Sequence, residues 1–451
     1  MTNSSFSKNK IFLSILDFGF LEKKMERGTY TEQEAIQYIR ENDVRFIKLF
    51  FTDVYGSVKS ISIQPSELEM AFSRGISFDA SAVKGFLSVA KSDLFIVPDS
   101  STLCVLPWRP QVGRVVRFFC NIRYADGKPF EGDARKILSD FVEKSREKGF
   151  SFNIGTECEF YLFKCDDKGE PTKEPFDKAG YCDLAPRDKG ENVRREICLT
   201  LEQMGVHPET SHHETGPGQN EVDFRYSDVL NAADNLQTFK TVVKTIAARN
   251  GLFACFLPKP IDGESGNGLH LNISLMKNGA NLFAGDKLSD EAKSFLAGIL
   301  FRACEITAYM NTIPNSYCRL GEFEAPKYVS WSRQNRSQLI RLPAARSDDE
   351  ARIEYRASDP VCNPYLAIYA LLSAGIEGIE NKRVLQDSVD IDLFSAKEGE
   401  LGGIKKLPAN LDDAWTVAKT GDFAEEIFPK VLLDFFNSSE NKIVDPEFGV
   451  I

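Results

Sequence analysis

The stretch Thr156-Glu-Cys-Glu-Phe-Tyr-Leu-Phe163 places two carboxylates in a run that is otherwise apolar. The run predicts a β-strand, and side chains two residues apart on a strand share a face, so Glu157 and Glu159 point the same way. Two carboxylates on one face of an apolar strand are costly unless a cation or an arginine meets them. A solvent-facing edge strand is the alternative, and the flanking apolar residues weigh against it.

Residues 212–221 read His-His-Glu-Thr-Gly-Pro-Gly-Gln-Asn-Glu and carry two more carboxylates around a Gly-Pro-Gly turn. Such a turn reverses the chain and could bring Glu214 and Glu221 together. Taken by itself, the segment is equally typical of an ordinary polar loop. It supports a functional hypothesis only in combination with the strand that carries Glu157 and Glu159.

A glycine-rich turn leads into a predicted strand at residues 263–274, which read Gly-Glu-Ser-Gly-Asn-Gly-Leu-His-Leu-Asn-Ile-Ser. On that strand His270, Asn272 and Ser274 share a face. Glycines let a ligand approach the backbone closely. The turn lacks the Gly-Lys-Ser/Thr of a P-loop and precedes a strand rather than the helix of a dinucleotide-binding turn. A lone histidine at such a place is usually structural.

Arginines are concentrated in residues 319–356, a span that also contains Glu354. The seven arginines are Arg319, Arg333, Arg336, Arg341, Arg346, Arg352 and Arg356. Planar guanidinium groups suit the recognition of carboxylates and phosphates. A solvated basic face is the alternative, and the apolar residues interspersed through the span weigh against it.

The carboxylates, one histidine and the arginines together indicate a class of chemistry. Oxygen-rich ligation with a single imidazole suits Mg²⁺ or Mn²⁺ better than zinc or copper. Divalent cations combined with arginines are typical of phosphoryl transfer. The residue pattern alone predicts that class and no narrower function.

Composition and charge restrict the class of protein further. The chain has 451 residues, of which 42% are hydrophobic and 27% charged, and this predicts a globular protein of two domains. A net charge of −11 argues against nucleic acid or an anionic membrane as the main partner. No apolar run is long enough to span a bilayer. Ten cysteines without a C-x-x-C pair indicate a reducing compartment, so we expect a cytoplasmic protein.

The predicted elements divide the chain into an N-terminal extension (1–26), a small α+β domain (27–125) and a larger domain (126–451) that begins near the turn Asp126-Gly-Lys-Pro129. The predicted helices are Glu32–Glu41, Ala134–Lys148, Val193–Met204, Ala232–Asn250, Asp290–Asn311 and Pro364–Glu380. The predicted strands are Arg45–Phe51, Val58–Ile63, Thr102–Leu106, Arg114–Tyr124, Ser151–Phe163, Gln219–Arg225, Leu269–Leu275 and Glu350–Ala357.

Taken together, the motifs resemble those of type I glutamine synthetase, in order and at similar spacing, over about residues 30–420. The matching stretches are Phe51-Thr-Asp53, Val97–Trp108, Thr156–Phe163, Ser211–Phe224, Lys259–Ser274, Asn315–Pro326 and Asn335–Tyr365. No tyrosine follows Tyr369, so the resemblance is to a short form without the adenylylation site of some relatives. It implies an α+β fold. A small β-grasp-like N-terminal domain would precede a large catalytic domain, similar to that of guanido kinases, with an antiparallel sheet and flanking helices.

The resemblance also implies ligands, namely two to three Mg²⁺ or Mn²⁺ ions and the cosubstrate ATP. One cation is expected at Glu159, Glu214 and Glu221, and a second at Glu157, His270 and Glu354. ATP is expected near Glu209, Lys259, Asn272, Ser274 and Arg352, with Arg336 and Arg341 at the transferring phosphoryl group.

For the substrates, the resemblance implies that Arg319 binds the α-carboxylate of glutamate, Arg356 its side-chain carboxylate and Gly266 its amino group. Asp53 of a neighbouring subunit is expected to deprotonate ammonium, and Glu324, on a flap, to take the later proton. A site shared between subunits implies a homo-oligomer, either a hexamer or a dodecamer. The implied reaction joins ammonia to the γ-carboxylate of glutamate through γ-glutamyl phosphate.

The flap departs from the family's usual Asn-Ser-Tyr-Lys-Arg-Leu-Val-Pro-Gly-Tyr-Glu-Ala-Pro. Residues 315–326 read Asn-Ser-Tyr-Cys-Arg-Leu-Gly-Glu-Phe-Glu-Ala-Pro, one residue shorter, so Glu322 competes with Glu324 for the flap role. Ser265 stands where the family has asparagine. These changes motivate a second hypothesis, a γ-glutamylamide synthetase of the γ-glutamylpolyamine type that uses another amine. A third is a non-catalytic assembly protein on the same fold, which the intact ligand residues argue against.

Overall fold

The computed structural model describes residues 30–438, so the expected extension at residues 1–26 lies outside the described residues. Two β-sheets follow one another along this part of the chain, one built from residues 44–123 and the other from residues 150–355. The observed class is the expected α+β. Among residues 30–438, no helix combines the length and the apolar character needed to cross a membrane.

The first sheet is mixed and has six strands. They are β1 (Val44–Thr52), β2 (Val58–Ile63), β3 (Ile76–Asp79), β4 (Asp93–Pro98), β5 (Cys104–Val105) and β6 (Arg114–Arg123). Their order is β2-β1-β6-β4-β3, with β5 also paired to β6, and β1 and β6 run parallel. Helices α1 (Glu32–Glu41) and α2 (Leu68–Arg74) accompany the sheet. Helix α1 begins where Thr31 and Glu34 form a reciprocal capping box.

The second sheet has eleven strands and carries the candidate site. They are β7 (Phe150–Cys165), β8 (Pro171–Pro175), β9 (Pro208–His213), β10 (Gln219–Phe224), β11 (Ser227–Asp228), β12 (Leu252–Cys255), β13 (Leu269–Lys277), β14 (Ala280–Asn281), β15 (Trp331–Arg333), β16 (Ile340–Leu342) and β17 (Ile353–Tyr355). The main order is β15-β16-β17-β13-β7-β10-β9. Its pairings are antiparallel as expected, except that β15 and β16 run parallel.

Strand β7 is the centre of this sheet, since β8, β10, β11, β12 and β13 all pair with it. Its side chains alternate between two faces, as the period of a strand requires. Cys158, Phe160 and Leu162 are fully buried in the main core. Glu157 and Glu159 lie on the opposite face, where the candidate site is built.

Two predicted strands are longer than the observed ones by three or more residues. The strand predicted at Thr102–Leu106 is only β5, because residues 100–102 form a 3₁₀ turn whose start is capped by the Asp99 side chain. The strand predicted at Glu350–Ala357 is only β17, because residues 348–350 form a second 3₁₀ turn. At the first of these turns, the local hydrogen bond to the Asp99 side chain competes with strand pairing.

Helices accompany the second sheet, and those at residues 134–147, 191–203 and 229–249 pack directly against its strands. The helices that accompany it are α3 (Ala134–Glu147), α4 (Glu191–Gln203), α5 (Val229–Arg249), α6 (Asp290–Met310), α7 (Ser316–Arg319), α8 (Pro364–Glu380), α9 (Leu411–Thr420), α10 (Phe423–Ile427) and α11 (Lys430–Asn437). Helices α6 and α8 are almost wholly buried and pack closely. A Cβ atom at Gly298 would lie only 2.2 Å from the Ala374 carbonyl oxygen, so this contact requires glycine.

The turn after β1 connects the two sheets. Asn363, which caps α8, donates to the carbonyl oxygens of Asp53 (3.2 Å) and Val54 (3.0 Å), and Gln237 on α5 donates to that of Gly56 (2.8 Å). Gly56 has φ +87°, and a Cβ there would meet the Asn363 backbone at 2.7 Å. The position of Asp53 is therefore set by helices of the larger domain.

Candidate active site

The register of the second sheet builds the site around Glu157. Glu157 on β7 pairs with His270 on β13 and, on its other side, with Asp223 on β10. His270 Nδ1 lies 3.0 Å from one Glu157 carboxylate oxygen, and Asn272 Nδ2 donates to the other at 2.8 Å. Ligand atoms of Glu157, His270 and Glu354 lie within 4.8 Å of one another. The structure thus brings together the three residues expected at one cation.

A second row of the same sheet lies beside the first. Glu159 on β7 pairs with Glu221 on β10, which pairs with His212 on β9. His212 Nε2 lies 2.9 Å from the Glu214 carboxylate, and ligand atoms of His212, Glu214 and Glu221 lie within 4.8 Å of one another. The prediction that the Gly-Pro-Gly turn brings Glu214 and Glu221 together is confirmed. The structure adds His212 to this group.

The Glu159 carboxylate is held by its surroundings rather than directly by Glu214 or Glu221. One of its oxygens accepts hydrogen bonds from the Gly268 amide (2.8 Å) and from Gln219 Nε2 (3.1 Å). Gln219 Nε2 also lies 3.1 Å from the Gly266 carbonyl oxygen, and Gln219 Oε1 accepts from the Gly216 amide (3.0 Å). Gln219 therefore connects the Gly-Pro-Gly turn, Glu159 and the glycine-rich loop.

Glu354 lies beneath the site with no exposed surface. Its two carboxylate oxygens accept hydrogen bonds from Arg356 Nη1, at 2.5 Å, and from Arg341 Nε. Both are charge-assisted hydrogen bonds, which are stronger than those between neutral groups. Glu354 thus fixes the positions of both arginines as well as facing His270.

These groups surround a cavity of about 740 Å³, hereafter the acidic cavity. The expected site residues that line it are Glu157, Glu159, Glu214, Glu221, Gly266, His270, Arg319, Glu324, Arg336, Arg341 and Arg356. Both carboxylates and positively charged side chains line its wall. Such a wall suits an anionic substrate bound together with cations.

Arg319 and Arg356 form the deepest positive part of the wall. Arg319 is 3% exposed and donates to the carbonyl oxygens of Ala357 (2.9 Å) and Arg356 (3.1 Å). Arg356 is 1% exposed, and its Nε is a buried donor that lacks a partner within residues 30–438. A buried donor without a partner is costly unless a ligand satisfies it. A carboxylate or phosphate oxygen would do so.

The flap, residues 320–326, covers one side of the acidic cavity. Glu322, Phe323 and Glu324 all line it. The Glu324 carboxylate lies 3.9 Å from Arg356 Nη2, whereas no such ion pair involves Glu322 among the described residues. The structure therefore brings Glu324, rather than Glu322, next to the buried arginines.

A second cavity of about 420 Å³ adjoins the first, and both are lined by Glu157, Thr210 and Asp223. Four of the residues expected near ATP line this second cavity, namely Glu209, Asn272, Ser274 and Arg352. Arg352 Nε donates to Asn272 Oδ1 (2.9 Å). Since Asn272 also bonds to Glu157, a continuous hydrogen-bonded chain connects the two cavities.

Two expected site residues lie elsewhere. Asp53 is buried at the end of β1, where its carboxylate accepts from the Ser57 amide (2.9 Å) and lies 3.3 Å from Lys59 Nζ, and it lines neither cavity. Lys259, expected near ATP, also lines neither cavity. Its Nζ donates to the Glu264 carbonyl oxygen (2.6 Å) and lies 4.5 Å from the ring centroid of Phe323.

Burial and mutual repulsion shift the pKa values of the carboxylates in the acidic cavity. Burial, followed by the charge of Glu159, raises the pKa of Glu221 well above its usual range, and burial raises the pKa of Glu159. Burial would also raise the pKa of Glu157, but hydrogen bonds from His270 and Asn272 lower it to about 2. The crowded carboxylates favour a bound cation, because a positive charge relieves their repulsion.

Sequence reasoning missed His212, Gln219 and Asp223, all of which line the acidic cavity. The two-residue period of a β-strand could have indicated Gln219 and Asp223. Gln219, Glu221 and Asp223 alternate on β10, so the face that carries Glu221 also carries the other two. His212 required the pairing of β9 with β10, which could not be read from its polar sequence.

The two sheets and the acidic cavity define a two-domain α+β enzyme with a highly charged site on one face of its larger sheet. Two family models match the chain: "Glutamine synthetase, beta-Grasp domain" over residues 43–125 and "Glutamine synthetase, catalytic domain" over residues 131–446. Together they span most of the sequence. The chain belongs to the glutamine synthetase family.

Curated relatives agree over nearly the full length. The chain is 46% identical to a glutamine synthetase of Methanosarcina mazei over 403 residues, 88% of this chain and 90% of that protein. It is 42% identical to a glutamine synthetase of Staphylococcus aureus over 425 residues, 92% of this chain and 95% of that protein.

Solved structures share the fold. The structure of a GmaS/ADP complex matches with a TM-score of 0.83 and 30% identity, covering 90% of this chain and 95% of that one. The cryo-EM structure of Plasmodium falciparum glutamine synthetase matches with a TM-score of 0.82 and 24% identity, over 94% and 98% of the two chains. The second likeness concerns the fold alone.

Proposed function

We propose that the protein is a glutamine synthetase that joins ammonia to the γ-carboxylate of glutamate at the cost of one ATP. The observation that supports this most strongly is the acidic cavity, in which carboxylates, two imidazoles and four arginines meet beside a second cavity. The family match supports the reaction, and the residues that line the two cavities support the roles proposed below.

The donor set fits divalent cations of the Mg²⁺ or Mn²⁺ kind, two to three per site. Oxygen ligands predominate, and the buried carboxylates need positive charge. Glu157, His270 and Glu354 would hold one ion, and Glu159, Glu214 and Glu221 another, with His212 beside the second group. When bound, such ions supply charge neutralisation at the phosphoryl oxygens.

We assign ATP to the second cavity and glutamate to the acidic cavity. ATP would occupy the second cavity at Glu209, Asn272, Ser274 and Arg352, with its γ-phosphate directed past Glu157. Glutamate would lie in the acidic cavity, with its α-carboxylate at Arg319, its amino group at the Gly266 backbone and its γ-carboxylate at Arg356. Arg336 and Arg341 line the same cavity and would bind the transferring phosphoryl group.

The first step forms an acyl phosphate. A γ-carboxylate oxygen of glutamate attacks the γ-phosphorus of ATP, the bond to the β-phosphate oxygen breaks, and ADP leaves. Arg336 and Arg341 stabilise the negative charge on the transferring group. The carboxylate carbon, which is a poor acyl donor, thereby gains phosphate as a leaving group.

The second step forms the amide. Ammonium first loses a proton, and ammonia attacks the γ-carbonyl carbon. The C–O bond to phosphate then breaks, and a second proton leaves the nitrogen. Asp53 of a neighbouring subunit would take the first proton and Glu324 the second.

Asp53 lies outside the cavities of its own chain, which supports a homo-oligomer, hexameric or dodecameric, with shared sites. All ten cysteines are free, in keeping with a cytoplasmic enzyme.

The test uses the purified full chain with ATP, Mg²⁺ and glutamate, with and without ammonium, and follows phosphate and glutamine together. Ammonium-dependent release of equal amounts of both products is the expected result. Release that ignores ammonium but responds to other amines would replace the proposal with the γ-glutamylamide hypothesis. No release with any amine from a folded oligomer would overturn both.

A further inference from the structure

The flap makes a contact at Phe323 that its expected role in proton transfer does not explain. Phe323 lies at its tip and adopts φ +49°, a left-handed backbone conformation that large side chains rarely take. Such conformations persist only where surrounding contacts hold them. The Phe323 ring provides that contact, because Lys259 Nζ lies 4.5 Å from its centroid.

Lys259 is a rigid partner for this ring. It is 7% exposed, and its ammonium group donates to the Glu264 carbonyl oxygen at 2.6 Å. Its backbone is fixed on both sides by Asn315, which accepts from the Lys259 amide (2.7 Å) and donates to the Lys259 carbonyl oxygen (3.0 Å). A cation held this firmly over an aromatic face is attractive, more so when it is partly removed from water.

We propose that Lys259 is a positioning residue that holds the flap closed through Phe323, and that it does not contact the nucleotide. The inference rests on the proposed function. Closure keeps the Glu324 carboxylate near Arg356, at the reacting end of the acidic cavity. It also keeps Phe323 and Glu322 between that cavity and solvent. The absence of Lys259 from the lining of the second cavity separates this role from nucleotide binding.

Exclusion of water is the measurable consequence. If the flap opens while γ-glutamyl phosphate is present, water attacks the γ-carbonyl carbon and the C–O bond to phosphate breaks. Glutamate is regenerated and phosphate is released, so one ATP is consumed without glutamine. A loosened flap therefore raises the ratio of phosphate released to glutamine formed.

The experiment measures this ratio, and the KM for ATP, in the full-length enzyme with Mg²⁺, glutamate and ammonium. The variants are Phe323→Leu, Lys259→Met, their double mutant and Phe323→Tyr. We expect Phe323→Leu and Lys259→Met each to raise the ratio about three- to tenfold, as loss of one partly buried cation–π contact predicts. The double mutant should match the single mutants, since both remove one contact. Phe323→Tyr should keep the wild-type ratio, and the KM for ATP should stay constant.

Lys406→Met is the matched control, because Lys406 Nζ lies 5.8 Å from the ring centroid of Tyr328 and outside both cavities. A raised ratio in this variant would indicate a general effect of losing a Lys–aromatic contact and would overturn the inference. So would a raised KM for ATP in Lys259→Met with an unchanged ratio, or multiplicative effects in the double mutant. Absence of glutamine from the wild-type enzyme would instead remove the proposed function and this inference with it.

Discussion

The acidic cavity and the second cavity meet at Glu157, but they hold their charged groups differently. In the acidic cavity, Glu159 and Glu354 are buried and fixed by several hydrogen bonds from neighbouring strands. In the second cavity, the Arg346 side chain is 90% exposed and forms an ion pair with Glu350, four residues away. The charges of the acidic cavity are thus held in place by neighbouring strands, whereas part of the wall of the second cavity is an exposed rim. Mutations in the two cavities should differ accordingly in size and in the kinetic constant affected.

Glu159→Ala gives the largest expected effect. It removes a buried carboxylate of the candidate cation site, leaves the Gly268 amide without this acceptor and removes one of the acceptors of Gln219. We expect turnover to fall by at least about 10³-fold, measured as glutamine formed per active site. Glu202→Ala, an exposed glutamate outside both cavities, is the control. Wild-type turnover in Glu159→Ala would show that the site is assigned wrongly.

Arg336→Ala should lower kcat about 10²- to 10³-fold with little change in the KM for glutamate, because the lost charge acts on the transition state. Steady-state kinetics at saturating ATP measures both constants. Arg333→Ala serves as its control, since Arg333 is exposed and donates only to the Asp286 carbonyl oxygen (3.0 Å). An increase in KM at unchanged kcat would mean that Arg336 contributes ground-state binding alone.

Gln219→Met tests whether the two parts of the acidic cavity are coupled. It breaks the connection from Glu159 to the Gly266 carbonyl while keeping side-chain bulk. We expect activity to fall ten- to hundredfold. Removing a side chain that hydrogen-bonds to a metal ligand typically causes a loss of that size. The Mg²⁺ requirement and the KM for glutamate should rise together. Gln386→Met, outside both cavities, controls for loss of a glutamine side chain. A change in only the Mg²⁺ requirement, or in only the KM for glutamate, would argue against coupling.

The smallest effect is expected in the second cavity. Arg352→Met removes one hydrogen bond to Asn272 and should raise the KM for ATP about tenfold, with kcat changed less than about twofold. Arg346→Ala, on the exposed rim, should change the KM for ATP by less than about twofold. Titration of ATP at saturating glutamate measures both variants. If Arg352→Met or Arg346→Ala lowered kcat as much as Arg336→Ala does, the two cavities would not differ in the kinetic constant that they affect.

Elements with strong local signals could be predicted from the sequence. Helix α8 runs over Pro364–Glu380 as expected, because Asn363 caps it and the following run is apolar. Strand β10 begins at Gln219 as expected after the Gly-Pro-Gly turn. The polar strand β9 was not predicted, since it lacks apolar alternation and is defined only by its pairing with β10.

The arrangement of the site depended on information that local patterns do not hold. Glu157 and His270 pair across a separation of 113 residues, and only the family resemblance related them. The same resemblance assigned Lys259 to the nucleotide, whereas its ammonium group lies against Phe323 of a flap whose sequence departs from the family. The roles that the resemblance implies for these residues stay predictions, and the variants of Lys259 and Phe323 distinguish the two roles of Lys259.

The dependence of the site on β7 has a consequence for how such enzymes diverge. Five strands take their register from this one segment of sixteen residues. Inserting or deleting a residue there would turn Glu157 and Glu159 toward the core. The flap lies outside the strands and is already one residue shorter than the family's usual form. A change in flap length therefore leaves the register of β7 intact, so the flap can diverge in sequence while Glu157 and Glu159 stay in place.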